Sequence, residues 1–542
     1  MNFIQNESKQ KLRGGYYTPL DLSVFLARWV KEINPKKVLE PSCGDGVFFS
    51  AFKEIGGLKN AELTAFELDK QEALKATACS KHAFPRSKIY AQDFLQWSIE
   101  HMGNKKNQFD AVIGNPPFIR YQYLPEEFQT RAEQIFAQLG MPFTKHTNAW
   151  VPFVMASMAL LRPGGRLAMV VPSEIIHIIH AQPLRAYLGT QCRRIVVIDP
   201  EELWFDNTLQ GAVLLLAEKL HSPSDKAQGV GMYPVKGRDF LKLNPSTIFE
   251  KPTPINGKTI KGKWTRAFLS PSTLQLIDKL SEREDIHRFA DIAQVDVGIV
   301  TGANDYFLVS DDVVNKFHLS KWAHPMFGRS EHCPGVVYDA KQHQNNVKKG
   351  KPTNFIWFQE NIKTQDLTAK TYIKYGEEQN LHLRYKCSVR KQWYSVPSVY
   401  QTEIAMLKRA HNLPRLILNK VGAFTTDTAY RIKSKFPAKK LVGNFINSLT
   451  ALSAELEGRH YGGGVLELVP SEIENLLIPI PEKTLTNLTE LDQSIRELPI
   501  EQVLEIQDRK VLGSLGLSQS NQQELLNAWL KLKDRRQRVS AD

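Results

Sequence analysis

The first 220 residues alternate between short apolar runs and stretches with helical periodicity. Apolar runs of this length are typical of buried strands, and strands that alternate with helices predict a mostly parallel β-sheet covered on both faces. Such a sheet binds ligands at the carboxyl ends of its strands. The predicted strands are residues 36–40, 62–68, 109–115, 166–172, 193–199 and 212–218, and the clearest predicted helices are residues 20–33 and 151–163.

The alternation ends near residue 250, where Pro and Lys become frequent and the strand-like pieces become irregular. A polar Gly- and Ser-containing segment at 221–231 is a plausible edge of the first domain. We therefore predict an α/β domain over residues 1–245, a mixed α+β domain over 246–500 and a helical tail over 501–542.

The positive charge of the chain is concentrated in one window. Lys and Arg number 70 against 57 Asp and Glu, and residues 341–440 alone hold 20 Lys and Arg against 6 Asp and Glu. The window also holds twelve aromatic residues, among them Trp357, Phe358, Tyr385, Trp393 and Tyr394. Basic charge interleaved with flat side chains suits a nucleic acid. A lysine-rich solvated face over an ordinary core would have the same composition, so the charge leaves both interpretations open.

Several protein classes are disfavoured by composition. No apolar run reaches the about 18 residues of a transmembrane helix, and the polar first ten residues lack the apolar core of a signal peptide. The five cysteines form no CxxC pair, so neither a disulfide framework nor a Cys-rich zinc site is indicated. We expect a soluble cytoplasmic protein without a metal site.

The loop after the first strand has the sequence Glu40-Pro-Ser-Cys-Gly-Asp-Gly. Gly44 and Gly46 allow the backbone to turn tightly and to approach a ligand just before a helix. Two glycines are a weak signal, and a plain strand-to-helix turn would explain them equally well.

Two further acids strengthen the case for a ligand. Glu67 closes the second predicted strand, where a carboxylate can accept hydrogen bonds from both hydroxyls of a ribose. Asp93 follows a third strand-like piece, where it can accept from an adenine amino group with Phe94 beside the ring. Three acids that close successive strands indicate a nucleoside-binding edge.

The most specific motif is Asn115-Pro116-Pro117-Phe118, at the end of the fourth predicted strand. The two prolines remove backbone donors and stiffen the loop. Asn115 can then offer its side-chain carbonyl, and Pro116 its backbone carbonyl, to one NH2 group. Two acceptors would free the lone pair of an exocyclic nucleobase amine, which is otherwise delocalised into the ring, and Phe118 offers a flat face to the base.

With these motifs the sequence resembles the DNA adenine-N6 methyltransferases of restriction–modification systems, in the gamma arrangement. The resemblance covers nearly the whole chain and includes Gly14 to Pro19, Glu40 to Gly44, Asn115 to Phe118 and three segments of the second domain, at 295–309, 415–422 and 458–481. It implies a Rossmann-like class I methyltransferase domain followed by a DNA target-recognition domain. It also implies S-adenosylmethionine as methyl donor.

The resemblance assigns roles residue by residue. The acid of the first motif faces the methionine moiety, Thr18 contacts the cofactor, Phe153 lines its adenine pocket, and Phe205 stacks against the target base. The predicted cofactor-binding residues are Thr18, Glu40, Cys43, Gly44, Gly46, Glu67, Asp93, Phe94 and Phe153. The predicted catalytic residues are Asn115, Pro116, Pro117, Phe118 and Phe205.

The resemblance further implies double-stranded DNA as substrate, a separately encoded restriction nuclease as partner, and a location on the nucleoid. The sequence departs from the family in two places. Phe118 replaces the commoner Tyr, which keeps the stacking face and loses a hydroxyl. The loop from Ile119 to Thr147 is long, and both a mobile lid and a DNA contact are open for it.

Other functions share some of these features. The same catalytic loop acts on cytosine N4, on RNA bases and on glutamine amides, although cytosine enzymes usually carry Ser at the position of Asn115 and amide enzymes are small. A non-catalytic DNA-binding specificity subunit need not keep every motif. Cys43 as the nucleophile of a cytosine-C5 enzyme is disfavoured, because it lies in the cofactor loop. A nicotinamide dehydrogenase would leave Asn115 to Phe118 without a role.

Overall fold

The computed structural model describes residues 18–202, 204, 211–257, 262–358, 366–461, 463–483 and 486–537. Contacts divide this part of the chain into two compact units, the first ending at Phe268 and the second comprising Leu269–Gln537. The boundaries predicted after residues 245 and 500 stay predictions. No helix among the described residues is long and apolar enough to cross a membrane.

The first unit consists of one sheet and the helices that cover it. Its strands are β1 (Lys37–Glu40), β2 (Glu62–Phe66), β3 (Arg86–Tyr90), β4 (Phe109–Gly114), β5 (Leu161–Pro172), β6 (Cys192–Pro200), β7 (Ala212–Lys219) and β8 (Val230–Val235). Its helices are α1 (Leu20–Lys31), α2 (Val47–Glu54), α3 (Lys70–Ala83), α4 (Phe94–His101), α5 (Glu126–Gln138), α6 (Trp150–Leu160), α7 (Gln182–Gln191) and α8 (Pro245–Glu250).

The strands lie in the order β3-β2-β1-β4-β5-β7-β6-β8. All neighbouring pairs are parallel except those of β7, which runs antiparallel to β5 and β6. Every residue of β7 except the last is buried, which is typical of strands covered on both faces. The predicted α/β fold with a mostly parallel sheet is confirmed.

Helix α1 shows how the local sequence attaches a helix to this sheet. Leu22, Phe25, Leu26, Trp29 and Val30 recur at helical spacing, and all five are fully buried. The helix packs against β4, β5, α2 and α8. The helical periodicity of residues 20–33 therefore corresponds to one apolar face of α1, which packs into the core of the first unit.

The order of the strands places a crevice at one edge of the sheet. The chain runs from β1 through β2 to β3 on one side, and then returns to the other side of β1 with β4 and β5. Ligands in open α/β sheets bind outside the carboxyl ends of the strands where the order reverses in this way. This topological switch point lies between β1 and β4.

The second unit contains four smaller sheets among its described residues. The strands are β9 (Ile286–Arg288), β10 (Ala293–Val297), β11 (Leu308–Val309), β12 (Ala323–Phe327), β13 (Val337–Tyr338), β14 (Asn354–Ile356), β15 (Ile404–Leu407), β16 (Arg409–Ala410), β17 (Leu416–Asn419), β18 (Phe424–Thr425), β19 (Ala429–Ser434), β20 (Arg459–Tyr461), β21 (Val465–Glu467) and β22 (Leu477–Pro479). The strand orders of the four sheets are β10-β19-β15-β17-β13, β11-β14-β12-β18, β16-β21-β20 and β22-β9.

The described residues of the second unit also form helices. They are α9 (Pro271–Ser281), α10 (Phe289–Ile292), α11 (Asn304–Phe307), α12 (Asp311–Lys316), α13 (Ala340–Lys348), α14 (Leu367–Glu378), α15 (Tyr385–Ser388), α16 (Ala438–Phe445), α17 (Ser448–Glu457), α18 (Pro470–Ile473), α19 (Leu488–Glu497), α20 (Ile500–Val511) and α21 (Gln519–Arg536). The mixed α+β character predicted for this part of the chain is confirmed.

The last helix is fastened inside the second unit by a buried ion pair. Arg536 and Glu455 both have fully buried side chains, and the guanidinium donates to Glu455 Oε1 at 2.7 Å. The same guanidinium donates to the backbone carbonyls of His411 and Asn412, at 2.8 and 3.1 Å. A buried charge of this kind is tolerated because it is paired and hydrogen-bonded.

Candidate active site

The acids and the amide singled out in the sequence lie at one edge of the sheet. Glu40 ends β1, Glu67 follows β2, Asp93 comes three residues after β3, and Asn115 follows β4. These four strands are adjacent and parallel, so their carboxyl ends lie at the same edge. The structure therefore brings together the side chains that the sequence placed at successive strand ends, around the switch point.

The loop between β1 and α2 requires glycine at two positions. Gly44 and Gly46 have φ values of +52° and +95°, in the region that favours glycine. A Cβ atom at Gly46 would lie 2.9 Å from Phe49 Cδ2 and 3.2 Å from Ala76 Cα. Glycine at position 46 therefore permits both the turn into α2 and the close packing of α2 against α3.

Glu67 is oriented by this loop. Its Oε2 accepts from the backbone N–H of Gly44, and its Oε1 accepts from that of Asp69, both at 2.9 Å. Each carboxylate oxygen has a second lone pair available for a ligand donor. The geometry fits a residue that accepts from two neighbouring hydroxyls while its own position is held by backbone donors.

Glu40 is a buried carboxyl group in an unusual environment. Its side chain is 1% exposed, and neither of its oxygens has a hydrogen-bond partner among the described residues. Burial, together with the negative charges of Glu67 and Asp45, raises the pKa of Glu40 well above its usual range. An unpartnered buried acid beside other acids is stabilised by a cationic ligand.

Asp93 has more protein partners than the sequence indicated. Its Oδ1 accepts from the backbone N–H groups of Leu95 and Gln96, at 2.6 and 3.3 Å, and so caps α4. Its Oδ2 accepts from Arg131 Nη1 at 2.7 Å. The amino group of a ligand that donates to Oδ2 of Asp93 would therefore share this oxygen with the Arg131 guanidinium of α5.

Aromatic side chains accompany Asp93. Phe94 and Phe153 are 2% and 8% exposed, and their ring centroids lie 5.4 Å apart. Phe66, the last residue of β2, lies 5.5 Å from Phe94. The two phenylalanines predicted to line an adenine pocket are thus in contact with each other beside the third acid.

Two hydrogen bonds hold Asn115 in place at the switch point. Its side-chain Nδ2 donates to Thr18 Oγ1 at 3.1 Å, and its backbone carbonyl accepts from Ser42 Oγ at 2.8 Å. Thr18 is buried. The structure therefore joins the amide of the predicted catalytic motif to Thr18, a predicted cofactor-binding residue, and to Ser42, which was not identified as a functional residue from the sequence.

The rest of the motif continues along the same edge. Pro116 is buried, and Phe118 is half-buried against the core of the first unit. The second predicted base-stacking residue, Phe205, lies outside the described residues.

The segment predicted as a long loop, Ile119 to Thr147, contains a helix. Helix α5 occupies Glu126–Gln138 and packs against α4 and α6. Two hydrogen bonds join the start of the segment to the residues just after its end. Ala149 N donates to Ile119 O at 3.0 Å, and Tyr121 N donates to Asn148 Oδ1 at 3.1 Å. The helix of this segment contributes Arg131, the ion-pair partner of Asp93.

Glu174 is a further residue that sequence reasoning missed. It lies two residues beyond β5, and its Oε2 accepts from Asn148 Nδ2 at 2.9 Å. Burial raises the pKa of Glu174, against the opposing charge of Arg120. Its position after a strand end is the same signal that marked Glu67, so it could have been found from the sequence, whereas no motif marks Arg131 or Asn148.

Cys43 does not have the environment of a nucleophile. Its side chain is 3% exposed, and burial together with the charges of Glu40 and Glu67 raises the pKa of its thiol. A reactive cysteine needs a lowered pKa. Among the described residues no group of three or more His, Cys, Asp or Glu side chains is arranged to hold a metal ion.

Comparison with known proteins gives matches over both units. The family model "Eco57I restriction-modification methylase" matches residues 47–204, and the model "Type II methyltransferase M.Eco57I, C-terminal domain" matches residues 261–512. The type II methyltransferase M.AccI of Acinetobacter calcoaceticus is 23% identical over 489 residues, which cover 84% of each chain. M.XamI of Xanthomonas campestris pv. amaranthicola is 22% identical, covering 86% of this chain and 85% of its own.

A solved structure shows the same fold. A nuclease-deletion mutant of the type ISP restriction–modification enzyme LlaGI, in complex with a DNA substrate mimic, aligns with a TM-score of 0.50 at 12% identity. The alignment covers 89% of this chain and 54% of the chain in that structure, so the protein spans about half of the length of that chain.

We predict that Gly46→Ala destabilises the first unit more than Gly103→Ala. Both glycines have positive φ values, +95° and +83°, so both substitutions strain the backbone. Only at Gly46 would the new methyl group meet close neighbours, whereas nothing lies within 4 Å at Gly103. We expect about 1–3 kcal/mol of additional loss at Gly46, measured by urea unfolding of the first unit. Equal losses in the two variants would contradict the packing assigned to this loop.

Proposed function

We propose that this chain, which belongs to the Eco57I family of restriction–modification methylases, transfers a methyl group to the N6 amine of adenine in double-stranded DNA. The family supplies the reaction, methyl transfer. The proposal adds the base, the donor S-adenosylmethionine and the removal of the base from the helix. It also adds a separately encoded nuclease as partner and the cytoplasm as location.

One observation carries the proposal: Asn115 follows β4 at the switch point and is joined by Thr18 and Ser42 to the edge that bears the acids. An amide and two prolines at this position suit a loop that accepts an amine. The acids at the ends of β1, β2 and β3 suit a nucleoside that carries a positive charge. The two groups of residues are adjacent, as methyl transfer between two bound molecules requires.

The residues present fit S-adenosylmethionine. Glu40 has no partner for its carboxylate among the described residues and would receive the ammonium of the methionine end. Glu67 retains acceptor capacity for the ribose hydroxyls, and Asp93 for the adenine amine. When bound, this cofactor supplies an electrophilic methyl group on a positively charged sulfur. The remaining contacts would come from Thr18, Cys43, Gly44, Gly46, Phe94 and Phe153.

The catalytic loop would act on the acceptor. An adenine in a duplex is paired and stacked, so it must be rotated out at a cost of a few kcal/mol. Phe118 would offset part of this cost by stacking on the base, with Phe205 as second aromatic. The carbonyl groups of Asn115 and Pro116 would accept the two N–H bonds of the amine. Its nitrogen would then keep a lone pair for the transfer, without a covalent enzyme intermediate.

Adenine is favoured over cytosine by the amide at position 115, through the resemblance described above. Double-stranded DNA as substrate is supported by the basic window 341–440, in which most of the described Lys and Arg side chains are exposed. Clustered positive charge of this kind binds the phosphate backbone through release of counterions.

We predict that the affinity for S-adenosylmethionine rises with pH through the titration of Glu40. The ammonium pairs with the ionised carboxylate, and in the free protein burial and Glu67 raise the pKa of Glu40. Lowering the pH through that pKa protonates Glu40 and removes the partner, so binding weakens as pH falls. Glu40→Gln should bind roughly 5- to 150-fold more weakly at the upper end of the pH range.

Calorimetric titrations over a pH series check this prediction. The difference in pH dependence between the wild type and Glu40→Gln isolates the titration of this group, because all other acids are shared. Glu62→Gln, an exposed acid at the start of β2, serves as control and should follow the wild type. Identical pH dependence in the wild type and Glu40→Gln would exclude Glu40 from the cofactor site.

We predict that Asn115→Ala lowers the rate of methyl transfer by about 10²–10³-fold or more, since a positioned hydrogen-bonding group at a reacting atom has an effect of this size. Cofactor affinity should change little, because Asn115 acts mainly on the acceptor. Single-turnover transfer of a tritiated methyl group to duplex DNA measures the rate, and calorimetry measures the affinity. Asn60→Ala, at an exposed position, is the control. A near-normal rate in Asn115→Ala would overturn the assignment.

A further inference from the structure

Three large apolar side chains of the basic window are exposed within one short segment of the second unit, residues 383–391. Leu383, Tyr385 and Val389 are 67%, 75% and 67% exposed. Four other aromatic residues of the basic window are less exposed. Phe358 is fully buried, and Trp357, Trp393 and Tyr394 are half-buried against a hydrophobic core of the second unit. Exposed large apolar groups that cluster in this way indicate a binding surface.

The backbone of segment 383–391 is held in place. Arg390 Nη2 donates to the carbonyls of Val300 and Thr301, each at 2.8 Å. Cys387, in the middle of the segment, is fully buried in the core of the second unit. The apolar groups therefore project from an ordered segment, which lowers the entropy lost on binding.

Cations alternate with the apolar side chains. Arg384, Lys386 and Lys391 are exposed, and none of the three forms an ion pair with a described Asp or Glu residue. Lys386 lies over the ring of Tyr385, at 5.7 Å from its centroid. The segment thus presents both positive charge and a flat apolar group to the solvent.

The loop at the end of β10 extends this surface. Val297 and Val300 are 44% and 39% exposed. A Cβ atom at Gly302 would lie 2.7 Å from Lys386 Cβ, so this loop and segment 383–391 are in close contact. The exposed apolar area therefore includes side chains from two chain segments that are fixed to each other.

We infer that segment 383–391 is a contact surface for duplex DNA, with Arg384, Lys386 and Lys391 on phosphates and Leu383, Tyr385 and Val389 against bases. This inference rests on the proposed function and adds the residues that reach the bases. Cores of protein–protein interfaces are depleted of lysine, whereas DNA offers phosphates beside an apolar stack of bases. Apolar side chains that enter a groove and wedge between bases are an established mode of DNA binding.

Salt dependence separates the two kinds of contact. Phosphate contacts give a slope of about −0.9 in log K against log salt for each phosphate, whereas apolar contacts contribute none. The test uses fluorescence anisotropy with a pool of random-sequence duplexes over a salt series. The full-length protein is compared with three variants whose substitutions are at exposed positions, and circular dichroism verifies that each variant is folded.

The first variant, Leu383→Ala with Tyr385→Ala and Val389→Ala, should bind roughly 5- to 150-fold more weakly with an unchanged slope, from the loss of one stacking contact. The second, Arg384→Gln with Lys386→Gln and Lys391→Gln, should have a slope that is less steep by about 2–3. The control, Leu74→Ala with Lys81→Gln, changes exposed positions of α3 outside the basic window and should leave both quantities unchanged.

Affinity and slope equal to the wild type in the first two variants would overturn the inference and leave this surface to a protein partner. The proposed function would then stand, provided that the wild type binds and methylates DNA. A wild type that neither binds nor methylates DNA would overturn both. If the control lost as much affinity as the first two variants, the loss would not be specific to segment 383–391. That result would also overturn the inference.

Discussion

The two hydrogen bonds of Asn115, to Thr18 through its side chain and from Ser42 to its backbone carbonyl, join the two halves of the candidate site. Each contributes only about 0.5–1.5 kcal/mol to stability. Their importance is geometric, because transfer between two bound molecules is sensitive to displacements of about 1 Å. The reversal of strand order between β1 and β4 makes this junction possible, since it places the ends of two strands distant in sequence side by side.

The electrostatics of the site follow from the same arrangement. Burial, together with the negative charges of the nearby Glu67 and Asp45, raises the pKa of Glu40. The Glu40 carboxyl group is buried at the end of β1, and no hydrogen-bond donor among the described residues compensates for its burial. A cation would relieve both the repulsion and the missing hydrogen bonds. The strand order brings these acids to the same edge of the sheet as the loop that begins at Asn115.

Much of this arrangement could be predicted from the sequence. Buried strands have strong apolar signals, and residues at their carboxyl ends share an edge, so Glu40, Glu67 and Asn115 were expected to lie near one another. Contacts between distant segments could not be predicted. Arg131 on Asp93, and Asn148 on Glu174, depend on how α5 packs against α4 and α6, and no local pattern encodes that packing. Likewise, composition could not separate the buried Phe358 from the exposed Tyr385.

We propose that the amine of adenine in DNA accepts the methyl group. This proposal is tested most directly by incubating the protein with labelled S-adenosylmethionine and unmethylated duplex DNA, digesting the DNA to nucleosides and separating the labelled products. We expect label in N6-methyldeoxyadenosine alone, and none with Asn115→Ala. Label in N4-methyldeoxycytidine, or in RNA or protein supplied in parallel while the DNA stays unlabelled, would contradict it.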